Sequence, residues 1–235
     1  MGIADNISYI NEKIKSVCEL CGRDSGDIIL VGVSKTHPVE KIIEAKNAGL
    51  YVFGESKVQE FIKKYEEVKD VRWHFIGHLQ KNKVKYIIDK VELIHSLDDY
   101  ELALEVNKRA EKINKIMDVL IQVNIGKEQT KYGVYEEELF DFCKRISGLK
   151  NIRIKGLMCI PPNEDIDKTR FYFKRMKFLY EEVKKLKYDN FDIQYLSMGM
   201  TDDFDIAIEE GANILRVGTG IFGERYYKKE DINNE

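Results

Sequence analysis

The feature that most constrains this chain is a short apolar, β-branched run followed by a helical pattern, repeated from one end of the sequence to the other. The first such run, Ile28-Ile29-Leu30-Val31-Gly32-Val33, is apolar on both faces. That is the composition of a strand covered on both sides in a parallel sheet. Pro38 then suits the first turn of a helix reading through to Gly49, because its missing N–H is not needed there. Further strands are expected around Tyr51–Phe53, Arg72–Gly77, Leu93–Ser96, Asp118–Asn124, Ile152–Met158, Ile193–Ser197 and Ile214–Val217. Helical stretches such as Glu55–Lys69, Asp98–Lys112, Glu136–Ile146 and Thr169–Leu186 fall between them. Sustained alternation of this kind implies a parallel sheet with helices packed outside it. Eight strands in 235 residues is the size of a (β/α)8 barrel of the TIM type. A doubly wound open sheet would ordinarily carry a glycine-rich dinucleotide fingerprint after its first strand, and none follows Val33. With only three prolines and no linker-like composition, one α/β domain over 1–235 is expected. It divides into an N-terminal helix over 1–22, a barrel over 28–223 and a polar tail over 224–235.

The N-terminal helix follows from Ile3, Ile7, Ile10, Ile14 and Cys18, which fall on one stripe ended by Gly22. The N-terminus lacks the basic flank and apolar region of a secretory signal, and Asn6 stands where myristoylation would want Ser or Thr. No apolar stretch reaches the roughly 18 residues of a spanning helix. With 38 Lys+Arg against 41 Asp+Glu, the chain lacks the basic surplus of a general nucleic-acid binder. A soluble cytoplasmic protein is expected. Cys18 and Cys21 have metal-like spacing, but no second pair or His-x-x-x-His follows, so they read as structural. Mixed-sign runs such as Lys63-Lys64-Tyr65-Glu66-Glu67 read as solvated outer helix faces.

In a parallel barrel the ligand site lies at the C-terminal ends of the strands. The first strand leads into Ser34-Lys35-Thr36-His37, which puts Lys35 at the mouth. Partial burial there favours a neutral amine, the form that condenses with a carbonyl. From position alone a surface lysine that merely follows a strand fits equally well. The last two strands lead into Ser197-Met198-Gly199-Met200-Thr201 and Gly218-Thr219-Gly220. Small residues let backbone amides approach a phosphate, and these two loops are the customary phosphate position in such barrels. A lysine facing a phosphate cradle suggests a phosphorylated aldehyde. A class I aldolase or phosphosugar barrel would share both features.

Six segments extend this reading: Val31-Gly32-Val33-Ser34-Lys35-Thr36, Phe53-Gly54-Glu55, Trp73 through Gln80, Gly156-Leu157-Met158, Leu196 through Met200 and Arg216-Val217-Gly218-Thr219. As an ordered set from about Ile28 to Gly223 they resemble the YggS/PROSC family of pyridoxal phosphate homeostasis proteins. The resemblance implies a barrel like the N-terminal domain of alanine racemases, with pyridoxal 5'-phosphate held as a lysine imine. It also implies that Lys35 is the Schiff-base lysine, that Ser197, Gly218 and Thr219 bind the phosphate, and that Arg216 faces the pyridine nitrogen. An arginine there disfavours protonation of the ring and weakens it as an electron sink, where aminotransferases place a carboxylate. The family's Phe-Gly-Glu-Asn is here Phe53-Gly54-Glu55-Ser56, which replaces an amide by a hydroxyl. His74 and His78 lie in a matching motif, yet alternation does not tell which faces the cavity, and both read as core or loop histidines.

Alanine racemases carry an added β-domain that supplies a tyrosine base from the partner subunit, opposite the lysine. No recognisable equivalent is found among the 13 tyrosines here. Racemisation needs acid and base on opposite faces of the substrate. The expectation is therefore a monomeric cofactor carrier that serves apo pyridoxal phosphate enzymes without turnover of its own. A weak racemase using Lys35 as its only base is the alternative.

Overall fold

A computed structural model describes residues 2–224 of the chain. Apart from Glu224, the expected polar tail lies outside the described residues. Helix α1 (Ile3–Leu20) precedes β1 (Ile29–Val33), α2 (Val39–Asn47), β2 (Val52–Glu55), α3 (Val58–Glu67) and β3 (Arg72–Phe75). After β3 the connection is a 3-10 segment, Lys81–Tyr86, in place of a full α-helix. Then come β4 (Leu93–Leu97), α4 (Tyr100–Lys112), β5 (Met117–Val123), α5 (Leu139–Ile146), β6 (Ile152–Cys159) and α6 (Ile166–Lys184). The chain continues through β7 (Phe191–Ser197), α7 (Phe204–Glu209), β8 (Ile214–Val217) and the short α8 (Thr219–Phe222). The eight strands are parallel and pair in sequence order, and β8 closes onto β1 with Arg216 opposite Val31. This is the (β/α)8 barrel expected from the alternation.

Strand alternation divides the core into two layers. Val31, Val52, Leu93, Leu120, Met158 and Ile214 form a cluster inside the barrel. Phe53, Trp73, Phe75, Ile94, Ile121 and Leu215 face the helices in the larger outer cluster. Alternation breaks in β4 between Ile94 and Leu97, and again at Gly156. Its φ of +150° accompanies register shifts against both β5 and β7, and a Cβ there would lie 1.8 Å from the carbonyl oxygen of Tyr195. The bulge turns Met158 inward beside the site. The opposite, N-terminal end of the barrel is ringed by the ion pairs Arg72–Glu92, Arg153–Asp118 and Lys155–Asp192.

Helix α1 packs its expected stripe of Ile3, Ile7, Ile10, Ile14 and Cys18 onto α2, α7 and α8. Burial of each isoleucine contributes about 1.5–3 kcal/mol. The Asn6 amide donates to the Ile221 carbonyl at 3.0 Å, which ties α1 to the turn after β8. Cys18 is buried on this face while Cys21 is exposed, and the described residues contain no group of three or more metal-type ligands. Nor is any described helix long and apolar enough to cross a membrane.

One reading from the sequence needs correction. Lys64, taken as part of a solvated charge run, is only 5 % exposed. Its periodicity on α3 places it inward, on the same face as Phe61, where it ties together the tops of β1 and β2. Its ammonium donates to the Ser34 carbonyl at 2.7 Å and to Glu55 and Glu60 at 2.6 Å each. The Ser34 hydroxyl donates to the same Glu55 oxygen at 2.6 Å, and Glu60 accepts the amide of Thr36 at 2.6 Å. Thr36 sits at φ 67°, a costly conformation for a β-branched residue, and the Glu60 contact holds it there. A buried cation among carboxylates contributes little net stability, but removing one partner strands the others. The Lys64→Met variant should therefore lose about 3–5 kcal/mol in urea unfolding, followed through the fluorescence of Trp73, the only tryptophan. A loss below about 1 kcal/mol, the range of an exposed pair, would contradict the buried network.

Candidate functional site

The site is built at the C-terminal mouth, where the inner faces of β1, β7 and β8 meet. The ladder between β1 and β2 extends past Val33, since the Ser34 amide donates to the Gly54 carbonyl at 3.2 Å. Ser34 faces outward into the Lys64 network. By alternation Lys35 follows Val31 and Val33 toward the interior, and it is half-buried. His37 beside it is buried and its ring lies 5.1 Å from that of Phe222.

Arg216 shares the inner face of β8 with Ile214 and is 4 % exposed. Its guanidinium donates to the Ser197 hydroxyl at 2.7 Å and to the Cys159 carbonyl at 2.8 Å. Both acceptors are uncharged, and among the described residues no carboxylate pairs with it. Asp203 acts on it only from a distance, and its own carboxyl is raised by burial. Burial pulls the guanidinium below its ordinary value, yet it stays charged at any working pH. The Cys159 thiol is pushed up to about 12 by burial and stays neutral. A buried positive charge without a counter-charge is an arrangement that an electron-rich ligand relieves.

Ser197 ends β7 and is fully buried. Its hydroxyl meets His95 Nδ1 at 3.1 Å as well as Arg216, and His95 Nε2 meets His74 Nδ1 at 3.0 Å. The structure thus answers which motif histidine faces inward: His74 does. His78 lies instead in the loop after β3, 3.3 Å from Asp98 and stacked on Tyr132 at 3.5 Å. Burial lowers the His74 imidazole to about 4 and holds His95 well below its ordinary value. His95 was invisible to the sequence reading because it sits in an otherwise ordinary strand, Leu93 to Leu97. Its position at an inward-facing register was the only available signal.

Gly218 and Thr219 open the turn after β8. Gly218 has φ −110°, and a Cβ added there would find its nearest neighbours in Val33 at 3.5 Å, so no atom of the described residues fills that space. The Thr219 hydroxyl donates to the Thr201 hydroxyl at 3.0 Å, and Thr201 also accepts the Gly220 amide at 3.2 Å. With its oxygen accepting twice, Thr201 keeps its own hydrogen for another acceptor. Thr201 therefore joins the two glycine-bearing loops, a role the residue type alone did not announce. A cleft of about 400 Å³ lies beside them, lined by Pro161, Pro162, Met200 and Asp203 among others. Of the five residues picked from the sequence, the structure joins Arg216 directly to Ser197. Lys35, Gly218 and Thr219 lie at the same end of the barrel, in the segments that follow β1 and β8. Ser56 follows β2, and its backbone is packed so closely that a Cβ on Gly77 would lie 2.3 Å from its carbonyl oxygen.

Comparison with known proteins shows the family and the fold. The family model described as alanine racemase, N-terminal domain, matches residues 6–226. A pyridoxal phosphate homeostasis protein of Aquifex aeolicus is 49% identical over 230 residues, covering 97% of this chain and 100% of the relative. The protein of the same name from Escherichia coli K12 is 35% identical over 233 residues, with 97% and 99% covered. Among solved structures, PipY of Synechococcus elongatus with PLP bound superposes with a TM-score of 0.81 at 31% identity, covering 94% of this chain and all (100%) of PipY. An alanine racemase of Clostridium difficile shares the fold at 16% identity and a TM-score of 0.73, and the match spans 58% of its length. The chain belongs to the alanine racemase N-terminal domain family and, within it, to the pyridoxal phosphate homeostasis proteins.

Proposed function

We propose that this protein binds pyridoxal 5'-phosphate at the mouth of its barrel and holds it for delivery, without turnover of its own. The observation that carries this reading is Arg216, a buried guanidinium whose partners are a hydroxyl and a carbonyl. The surrounding residues fit such a cofactor. Lys35, Arg216, the Thr201 hydroxyl and the backbone amide of Thr219 can all donate, Gly218 leaves open space, and a phosphate with a basic ring nitrogen asks for donors and room.

The roles follow from the chemistry of each group. Lys35 supplies the amine that condenses with the aldehyde, forming a C=N bond and releasing one water. Gly218 and Thr219 receive the phosphate, with Thr201 as an additional hydroxyl. Ser197 has its oxygen engaged by Arg216, so we assign it to aligning that side chain; only its single hydrogen remains to offer elsewhere. Arg216 faces the ring nitrogen and, being unable to give up a proton, keeps that nitrogen unprotonated. When bound, the cofactor can supply electrophilic chemistry toward amines, but an unprotonated ring is a poor electron sink. Holding and release are then favoured over catalysis. Apo forms of pyridoxal phosphate enzymes are the partner class this implies.

Attachment at Lys35 is tested by borohydride reduction of the loaded protein and peptide mapping. The adduct is expected on the peptide containing Lys35. Recovery on Lys57 or Lys81 would overturn the assignment. The phosphate position is tested by Gly218→Val. Because the backbone there has an ordinary negative φ and the nearest atoms are 3.5 Å away, folding should be little affected. Cofactor affinity should fall at least tenfold, about 1.4 kcal/mol, as the added side chain occupies the cradle. Unchanged affinity would place the phosphate elsewhere.

A further inference from the structure

Three side chains behind Arg216 form a chain of hydrogen bonds whose direction is fixed at one end. A guanidinium can only donate. The Ser197 oxygen, 2.7 Å from Arg216 Nη1, must therefore accept. Its single hydrogen needs a separate acceptor, and His95 Nδ1 stands 3.1 Å away. If Ser197 donates there, His95 carries its own hydrogen on Nε2 and donates it to His74 Nδ1 at 3.0 Å. His74 is then protonated on Nε2, a buried atom with no hydrogen-bond partner among the described residues. The opposite direction is worse. With His95 protonated on Nδ1, the Ser197 hydrogen has no acceptor in the chain and His74 Nε2 becomes a bare buried lone pair. One unsatisfied group is replaced by two.

We propose that His95, backed by His74, is a positioning residue for Arg216: it accepts the Ser197 hydrogen and so fixes the serine oxygen toward the guanidinium. Both imidazoles are neutral and in the Nε2–H form. The three residues come from β3, β4 and β7 and are buried (His74 1 %, His95 0 %, Ser197 0 %), so the chain spans the barrel interior and not a surface. Their neutrality also matters beside Arg216, since a second buried positive charge there would be repelled; burial keeps both rings uncharged. The Cys159 carbonyl anchors the other guanidinium nitrogen, so removing the serine contact frees Arg216 to swing about one remaining bond. The effect on cofactor rests on the reading that Arg216 faces the ring nitrogen, whereas the hydrogen-bond direction does not.

The test has two arms that separate these claims. In the apoprotein, two-bond ¹⁵N–¹H correlation spectra of the imidazoles report the tautomer directly. Nε2–H is expected for both His95 and His74, and an Nδ1–H form of His95 overturns the proposal whether or not any cofactor binds. In the holoprotein, His95→Leu removes the acceptor, whereas His95→Asn keeps an oxygen near the place of Nδ1. Loss of one neutral hydrogen bond should weaken pyridoxal phosphate binding about tenfold in His95→Leu and shift the visible absorption band. His95→Asn should restore both most of the way. Equal affinity and an unchanged band in folded His95→Leu overturn the positioning role. Should His95→Leu fail to fold, the same comparison is read between wild type and Ser197→Ala, which removes the intermediary and should give the same loss and band shift. An unaltered band and affinity in that variant overturn it as well. Absence of any cofactor binding by wild type, with the expected tautomers present, rejects the functional reading and the cofactor-positioning role while the hydrogen-bond direction stands.

Discussion

A guanidinium inside the barrel, with no carboxylate beside it among the described residues, is the constraint around which the upper half of this molecule is arranged. Such a charge is tolerated only where its hydrogen-bond donors are matched and something electron-rich can approach it. Ser197 and the Cys159 carbonyl satisfy two of its donors. Burial of His74 and His95 as neutral rings keeps further positive charge away. The apolar layer of Val31, Val52, Leu93, Leu120, Met158 and Ile214 closes the space below, and beyond it the N-terminal ring of ion pairs forms the floor. The C-terminal end, where Lys35 and the two glycine-bearing loops stand, is thereby left for the proposed ligand.

The supports lie behind the site as well as in it. Lys64, Glu55 and Glu60 hold the Ser34–Thr36 segment from the outside of β1 and β2. Helix α1 presses on the turn after β8 through Asn6 and its isoleucine stripe. Rigid supports on both sides suit the proposed holding of a cofactor in a fixed pose.

Much of the architecture was legible in the sequence because it rests on local pattern. The strand runs and the α1 stripe follow periodicity, and each of the eight strands lies within a few residues of its expected place. Position at a strand end, joined to the family resemblance, makes Lys35, Ser197, Arg216, Gly218 and Thr219 candidates, and all five lie at the C-terminal end of the barrel. What escaped depends on contacts between distant segments. The inward face of Lys64 looked like part of a solvated run, because a helix pattern shows spacing but not which partners await it. His95 hid in an apolar strand, and its meeting with Ser197 joins residues 102 positions apart. The 3-10 segment after β3 contradicted helical expectation for a repeating barrel, since Val84 alone anchors it inward. The bond between the Ser197 oxygen and Arg216, 19 positions away, likewise has no local signature.

Under the proposed function, an arginine at the ring nitrogen would make this barrel a holder of its cofactor in place of an enzyme. Exchange of the α-proton of L-alanine in heavy water, followed by NMR with free pyridoxal phosphate as control, tests it most directly. Exchange within about a hundredfold of the free cofactor is expected, the low end of what one general base such as Lys35 contributes. Exchange at turnover rates, on the order of one per second or faster, would contradict it and make the protein an enzyme.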